Sequence, residues 1–146
     1  QDDAEITEEV PVQQDKLTIV IPRESLTDTA LENLQKITAN KQTLFQRAFQ
    51  TDSTEVEITE EKMNFTWFPY TTDSDEIAAY TQFISRLCDM ARDAKRVSSK
   101  PTETDNDKYA FRCFLLRLGF IGKEYKTARK ILLRNLTGNS AFRCGE

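Results

Sequence analysis

The stretch that most constrains the fold runs from Lys108 to Arg143, close to the end of a 146-residue chain. Residues 109–118 are nearly all apolar, which predicts a helix buried at the centre of the molecule. Gly119 and Gly122 then bracket a tight connection, and apolar residues recur at helical spacing from Lys123 to Leu136. The rest of the chain must therefore cover one buried helix and support a final amphipathic one.

Two segments upstream show the alternating pattern of β-strands. Lys16–Pro22 is rich in β-branched residues and ends at a proline, which predicts one strand. Residues 55–68 alternate apolar and polar positions on both sides of a polar turn at 60–62, which predicts a hairpin. Its large aromatic side chains, Phe65 and Trp67, are predicted to lie in the core, because aromatic residues dominate core burial.

Helical patterns fill the intervening segments. Residues 25–50 predict two short helices that separate near Asn40, since asparagine tolerates the backbone conformation of a helix end. Residues 73–97 predict the clearest helix of the chain. Asp73 followed three residues later by Glu76 resembles a capping box, and an apolar stripe follows at helical spacing.

The order of these elements predicts an α+β fold. A three-stranded antiparallel sheet, made of the N-terminal strand and the hairpin, packs against a layer of about five helices. Residues 1–15 carry acidic groups, no basic group and few large apolar groups, so they predict an acidic flexible tail or linker. Residues 16–146 are expected to form a single α+β domain.

Composition argues against several kinds of chemistry. The chain has no histidine and no glycine-rich phosphate loop. Paired carboxylates such as Glu60 and Glu61 fall in strand or turn positions that predict solvated faces. Cys88 and Cys113 lie in apolar stripes that would raise a thiol pKa. We therefore expect no catalytic residues, no metal and no cofactor, and we do not expect an enzyme.

Cysteine use and hydropathy indicate the compartment. The three cysteines are an odd number at wide spacing, unlike a secreted disulfide framework, and they indicate a reducing cytoplasm. The N-terminal residues have no apolar core of the signal-peptide type. No apolar run approaches the roughly 20 residues needed to span a bilayer, so no membrane association is expected.

Charge is distributed unevenly along the chain. Residues 1–75 carry a net charge of −10 and residues 76–146 a net charge of +6, within an overall charge of −4. The segment 108–134 holds eight basic residues and one acidic residue, Glu124. Such a split suggests a polar partner for one end of the molecule, or attraction between the two halves.

The candidate binding residues lie on the last helix and in the segment after it. They are basic or amide side chains that could contact a partner or a nucleic acid: Lys123, Lys126, Arg129, Lys130, Arg134, Asn139 and Arg143. The plainer interpretation is that the basic side chains form the solvent face of an amphipathic helix.

The two C-terminal helices also have about the lengths of a helix-turn-helix unit, which would let these bases pair with phosphates. Against DNA readout, the first helix is too apolar, and the second has no evident set of base-reading side chains near its start.

One resemblance follows from this stretch. The run KYAFRCFLLRLGFIGKEYKTARKILLRNLTGNSAFR, with the strand end FTWFP and the helix end DAKRV, resembles a family of small "virulence-related" proteins of Firmicute mobile elements and prophages. The resemblance covers about residues 16–143 and is most specific in EYKTARKILL and GNSAF. It implies an accessory protein of a mobile element in the bacterial cytoplasm, and it implies no catalytic residue or cofactor.

The leading functional hypothesis is a non-enzymatic binding or regulatory protein of a mobile element or phage that acts on a protein partner. A narrower expectation, by analogy with such elements, is an inhibitor of a host nuclease, such as an anti-CRISPR or anti-restriction protein. The acidic N-terminal half of the chain would suit the basic groove of the nuclease. The alternative is a DNA-binding accessory factor that uses the basic C-terminal helix.

Overall fold

The structure, a computed structural model, describes residues 16–95, 97 and 106–137. The predicted acidic tail at 1–15 and two of the candidate residues, Asn139 and Arg143, lie outside the described residues. The described part has the predicted α+β architecture, a three-stranded antiparallel sheet with five α-helices.

The sheet combines an N-terminal strand with a hairpin, as predicted. Strand β1 is Lys16–Pro22, β2 is Glu57–Ile58 and β3 is Lys62–Pro69. Their order is β1-β3-β2, and the longest strand, β3, lies in the middle. Strand β2 has only two residues, and just before it the Glu55 carbonyl accepts a hydrogen bond from Trp67 Nε1 at 2.9 Å.

The two helices predicted for residues 25–50 are both present. Helix α1 is Asp28–Asn40 and helix α2 is Gln42–Phe49. The break falls at Lys41, whose backbone departs from helical geometry at φ −105° and ψ 15°, while Asn40 stays within α1. The break at this position places the Lys41 side chain beside α4.

Helix α3 is Ser74–Asp93, and its predicted capping residue is confirmed. The Asp73 side chain accepts a hydrogen bond from the Glu76 backbone N–H at 3.1 Å. The helix ends before residue 97, where the pattern had placed its end, because Ala94 adopts an extended backbone conformation.

The C-terminal helices differ from the prediction in burial and length. Helix α4 is Asp107–Leu118, and only one face of it is buried, with Phe111 and Phe114 among the residues facing the core. The last helix is not continuous over 123–136. A 3-10 turn at Lys123–Tyr125, entered from Gly122 at φ 94°, precedes helix α5, which is Lys126–Leu133.

An aromatic cluster joins the sheet to α2, α3 and α4. Phe45 of α2 has ring contacts with Trp67, Phe83, Phe111 and Phe114, at centroid distances of 5.5–6.0 Å. Trp67 has no exposed surface, so the prediction that the hairpin aromatics lie in the core is confirmed. Such clusters gain from edge-to-face geometry as well as from burial.

None of the helices within the described ranges is both long and apolar enough to cross a bilayer.

Candidate partner-binding surface

The connection between α4 and α5 presents one exposed apolar side chain. Gly119 ends α4 at φ 106°, and its N–H is bonded to the carbonyls of the last turn. Phe120 then turns into the core and is fully buried, whereas Ile121 points outward and is 62% exposed. Three large hydrophobic residues are exposed in the part of the chain that is described, and Ile121 is the most exposed of them.

The Arg129 side chain of α5 holds the backbone of this connection. Its Nη1 donates to the Phe120 carbonyl at 2.9 Å and to the Gly122 carbonyl at 3.0 Å. These two carbonyls flank Ile121, so one guanidinium fixes the backbone on both sides of the exposed residue. Hydrogen bonds from a charged donor are stronger than those between neutral groups.

A second arginine ties the same region to α3. Arg86 Nη2 donates to the Tyr125 hydroxyl at 2.6 Å, and its guanidinium lies 5.4 Å from the centre of the Tyr125 ring. The Tyr125 ring packs edge-on against Phe120. The positive φ favours glycine at position 119, and a methyl group there would lie 2.8 Å from Arg86 Nη1, so the end of the arginine side chain would have to shift.

Arg134 lies at the end of α5 and faces the start of α3. Its Nη1 is 2.7 Å from Glu76 Oε2, and its Nη2 donates to the Tyr80 hydroxyl at 3.3 Å. The Thr71 hydroxyl donates to the other Glu76 oxygen. The Thr71 hydrogen bond, followed by the bond from Arg134, holds the pKa of Glu76 below its usual value.

Three lysines of the predicted set face solvent. Lys123, Lys126 and Lys130 are all exposed. Across the residues described, their side chains form no ion pair or hydrogen bond. Lys126 and Lys130 are four residues apart in α5 and lie on the same side of that helix, and Lys123 precedes them in the 3-10 turn.

The structure therefore divides the predicted basic residues that it describes into two groups. Arg129 and Arg134 make intramolecular contacts, and of these described residues only the three lysines are exposed without such contacts. Ile121 was missed as a candidate. A bulky apolar residue between two glycines was the available signal, but spacing alone does not tell which of Phe120 and Ile121 faces the core.

Among the described residues, the predicted attraction between the basic helix and the acidic half of the chain involves no direct ion pair. The partner of Arg134, Glu76, belongs to α3, and none of the ion pairs found among the described residues joins 123–134 to 16–75.

Other chemistry is limited in the ranges that are described. They contain no group of three or more histidine, cysteine or acidic residues placed to hold a metal ion. Burial raises the pKa of the Cys88 thiol to about 11, which leaves the thiolate scarce at neutral pH. Cys88 therefore packs as a small hydrophobic residue.

Comparisons of this chain with protein-family models, with curated proteins and with solved structures found no match. Membership of the mobile-element family that the C-terminal motifs resemble remains a prediction.

Proposed function

We propose that this chain is a non-enzymatic binding protein that contacts a protein partner through the α4–α5 connection. The observation that carries the proposal is the exposed Ile121, on a backbone that Arg129 holds on both sides. Together with Lys123, Lys126 and Lys130, Ile121 forms what we call the loop-tip surface.

The physical case rests on preorganisation. Protein interfaces gain most of their affinity from a few anchors that fill pockets, and rigid anchors lose little entropy on binding. Burying an isoleucine side chain is worth about 1.5–3 kcal/mol. The three lysines would raise the association rate with a partner whose pocket has an acidic rim. The matching surface of the partner is thus an apolar pocket bordered by carboxylates.

A narrower form of the proposal makes the partner a host nuclease or another nucleic-acid enzyme. It rests on the resemblance to mobile-element proteins and on the acidic hairpin. Glu55, Glu57, Glu60 and Glu61 are all exposed, and no ion pair is found for them within the described residues. The enzyme's basic groove would then receive the hairpin while the loop-tip surface contacts a second, acidic area.

The test is co-elution of the protein from a host lysate, with nucleases and replication proteins as the named targets. Ile121→Ser should weaken capture by about 10-fold or more, since losing one buried anchor costs about 1.5 kcal/mol or more. The matched control is Tyr70→Ser, because Tyr70 is 53% exposed and lies outside regular structure. Equal capture by both variants, or no stable partner, would contradict the proposal.

A second candidate function is nucleic-acid binding, favoured by the three exposed lysines of the last helix and the 3-10 turn before it. A mobility-shift assay at low and moderate salt decides it. Three phosphate contacts predict a slope of log K against log salt of about −2.7. Lys126→Glu should abolish the shift, whereas Lys62→Glu makes the same change of charge on the hairpin and should not. Absence of binding at low salt would rule this function out.

A further inference from the structure

A second basic cluster lies apart from the loop-tip surface, between α1, α3 and α4. Lys41, at the break between α1 and α2, places its Nζ 5.6 Å from the centre of the Phe114 ring. Arg117, in the last turn of α4, places its Cζ 5.5 Å from the same ring. Two cations from distant parts of the chain therefore lie over one aromatic side chain that is itself buried.

Neither cation is neutralised within the described part of the chain. Lys41 and Arg117 form no ion pair there, although Lys41 is half-buried. Burial, together with repulsion from Arg117, lowers the pKa of Lys41. A partly buried charge without a counter-ion is unfavourable, and an anion between the two side chains would relieve both burial and repulsion.

The cations border a hollow that is partly lined by apolar side chains. A cavity of about 240 Å³ lies beside Phe114, and its apolar lining also includes Ile37, Met90 and Val97. Met90, together with Ala94 and Arg117, also lines an adjoining hollow of about 480 Å³. The adjoining hollow has the size of clefts that hold small ligands, and the smaller hollow extends it to Phe114.

The two adjoining hollows form one groove, and the charged side chains along it determine which kind of anion fits. Asp89 and Asp93 line the adjoining hollow together with Arg86, and Arg117 borders both hollows. An extended polyanion such as a nucleic acid would therefore meet carboxylates as well as cations. A ligand with one carboxylate next to an apolar side chain matches the two cations and the apolar side chains beside Phe114.

We propose that this groove is a binding site for a short peptide segment of a protein partner that carries an apolar residue beside a glutamate or aspartate. The apolar side chain enters the hollow next to Met90 and Phe114. The carboxylate lies between Arg117, whose guanidinium binds carboxylates with two parallel hydrogen bonds, and the Lys41 ammonium. The site is independent of the loop-tip surface.

The test uses acetyl-Leu-Glu-amide as the probe and NMR resonances of Met90 and Phe114 as the readout. We expect saturable shifts with a dissociation constant of about 1 mM, as befits a small ligand at an open site. Acetyl-Leu-Gln-amide should bind at least about fivefold more weakly, because it cannot accept charge-assisted hydrogen bonds. Lys41→Gln and Arg117→Gln should each reduce binding of the Leu-Glu probe to the level of the Leu-Gln probe.

Lys123→Gln is the matched control, since it removes one positive charge from the loop-tip surface and should leave probe binding unchanged. Four outcomes would overturn the proposal: no shifts at Met90 and Phe114, equal binding of the two peptides, equally tight binding of inorganic phosphate, or stronger binding of an oligothymidylate at the same resonances. Because the comparison of the two peptides uses the unmodified protein, the result does not depend on whether a variant folds.

Discussion

Arg129 and Arg134 lie on the same basic segment as Lys123, Lys126 and Lys130, yet the two groups differ in what they contact. The arginines reach back to the protein, to the carbonyls beside Ile121 and to Glu76. The lysines face solvent. A guanidinium has several donors in a fixed plane and can join two acceptors at once, whereas an ammonium is strongly hydrated and is easily left in water.

The difference shows how much of a charge pattern is structural. A helix with a basic stripe looks uniform in sequence, but within this stripe the residue type separates the roles. Two of the five bases stabilise the fold and the loop, and the remaining three are available for a partner.

The largest effect is expected from Arg129→Ala. This change removes both hydrogen bonds that hold the backbone on either side of Ile121. Hydrogen bonds from charged groups are worth about 1.5–3 kcal/mol, so the free energy of unfolding in urea should fall by about 2 kcal/mol. Amide hydrogen exchange at Ile121 should accelerate as well. Lys126→Ala, one turn earlier, is the control and should change stability by less than about 0.5 kcal/mol.

Gly119→Ala should follow, with a loss of about 1–2 kcal/mol, because φ is 106° and the new methyl group would meet Arg86. Gly122→Ala has a similar φ of 94° but open space around it. It should therefore lose only the part due to backbone strain. Equal losses in thermal unfolding would show that Arg86 does not constrain this connection.

Arg134→Gln should destabilise the protein by about 1 kcal/mol, because the ion pair with Glu76 is partly exposed and is discounted for screening. A double-mutant cycle with Glu76→Gln isolates the pair and should give a coupling energy of about 0.5–1 kcal/mol. A coupling energy close to zero would show that Arg134, like the lysines, makes no stabilising contact with the rest of the protein.

The same pair predicts a dependence of stability on pH. The pKa of Glu76 is lower in the folded protein than in the unfolded chain, so the unfolded state binds more protons between these two values. The contribution is complete above the unfolded pKa, about 4.3, and is lost as pH falls through the folded pKa. Unfolding measured from neutral to acidic pH should show a shallower decline in Glu76→Gln than in the unmodified protein.

Most of the fold could be predicted from periodicity. The strand Lys16–Pro22, the hairpin and the capped start of α3 follow from local patterns that tertiary packing does not override. The later start of the last helix could not be predicted, because the apolar spacing does not distinguish a 3-10 turn at Lys123–Tyr125 from a first α-helical turn. The burial of α4 was overestimated, since an apolar sequence does not show how many neighbours will cover it.

The candidate surface was predicted only in part. The lysines could be identified from their charge in the sequence. The contacts of Arg129 with the loop and of Arg134 with α3 could not, because they join residues that only tertiary packing brings together. The pairing of Lys41 with Arg117 over Phe114 spans 76 positions of sequence and has no local signal.

The most direct test of the division between arginines and lysines is urea unfolding of two double variants that remove the same charge. Arg129→Gln with Arg134→Gln should lower the free energy of unfolding by about 3 kcal/mol, from lost charge-assisted hydrogen bonds and a lost ion pair. Lys123→Gln with Lys126→Gln should stay within about 0.5 kcal/mol of the unmodified protein. Equal losses in the two double variants would contradict the account.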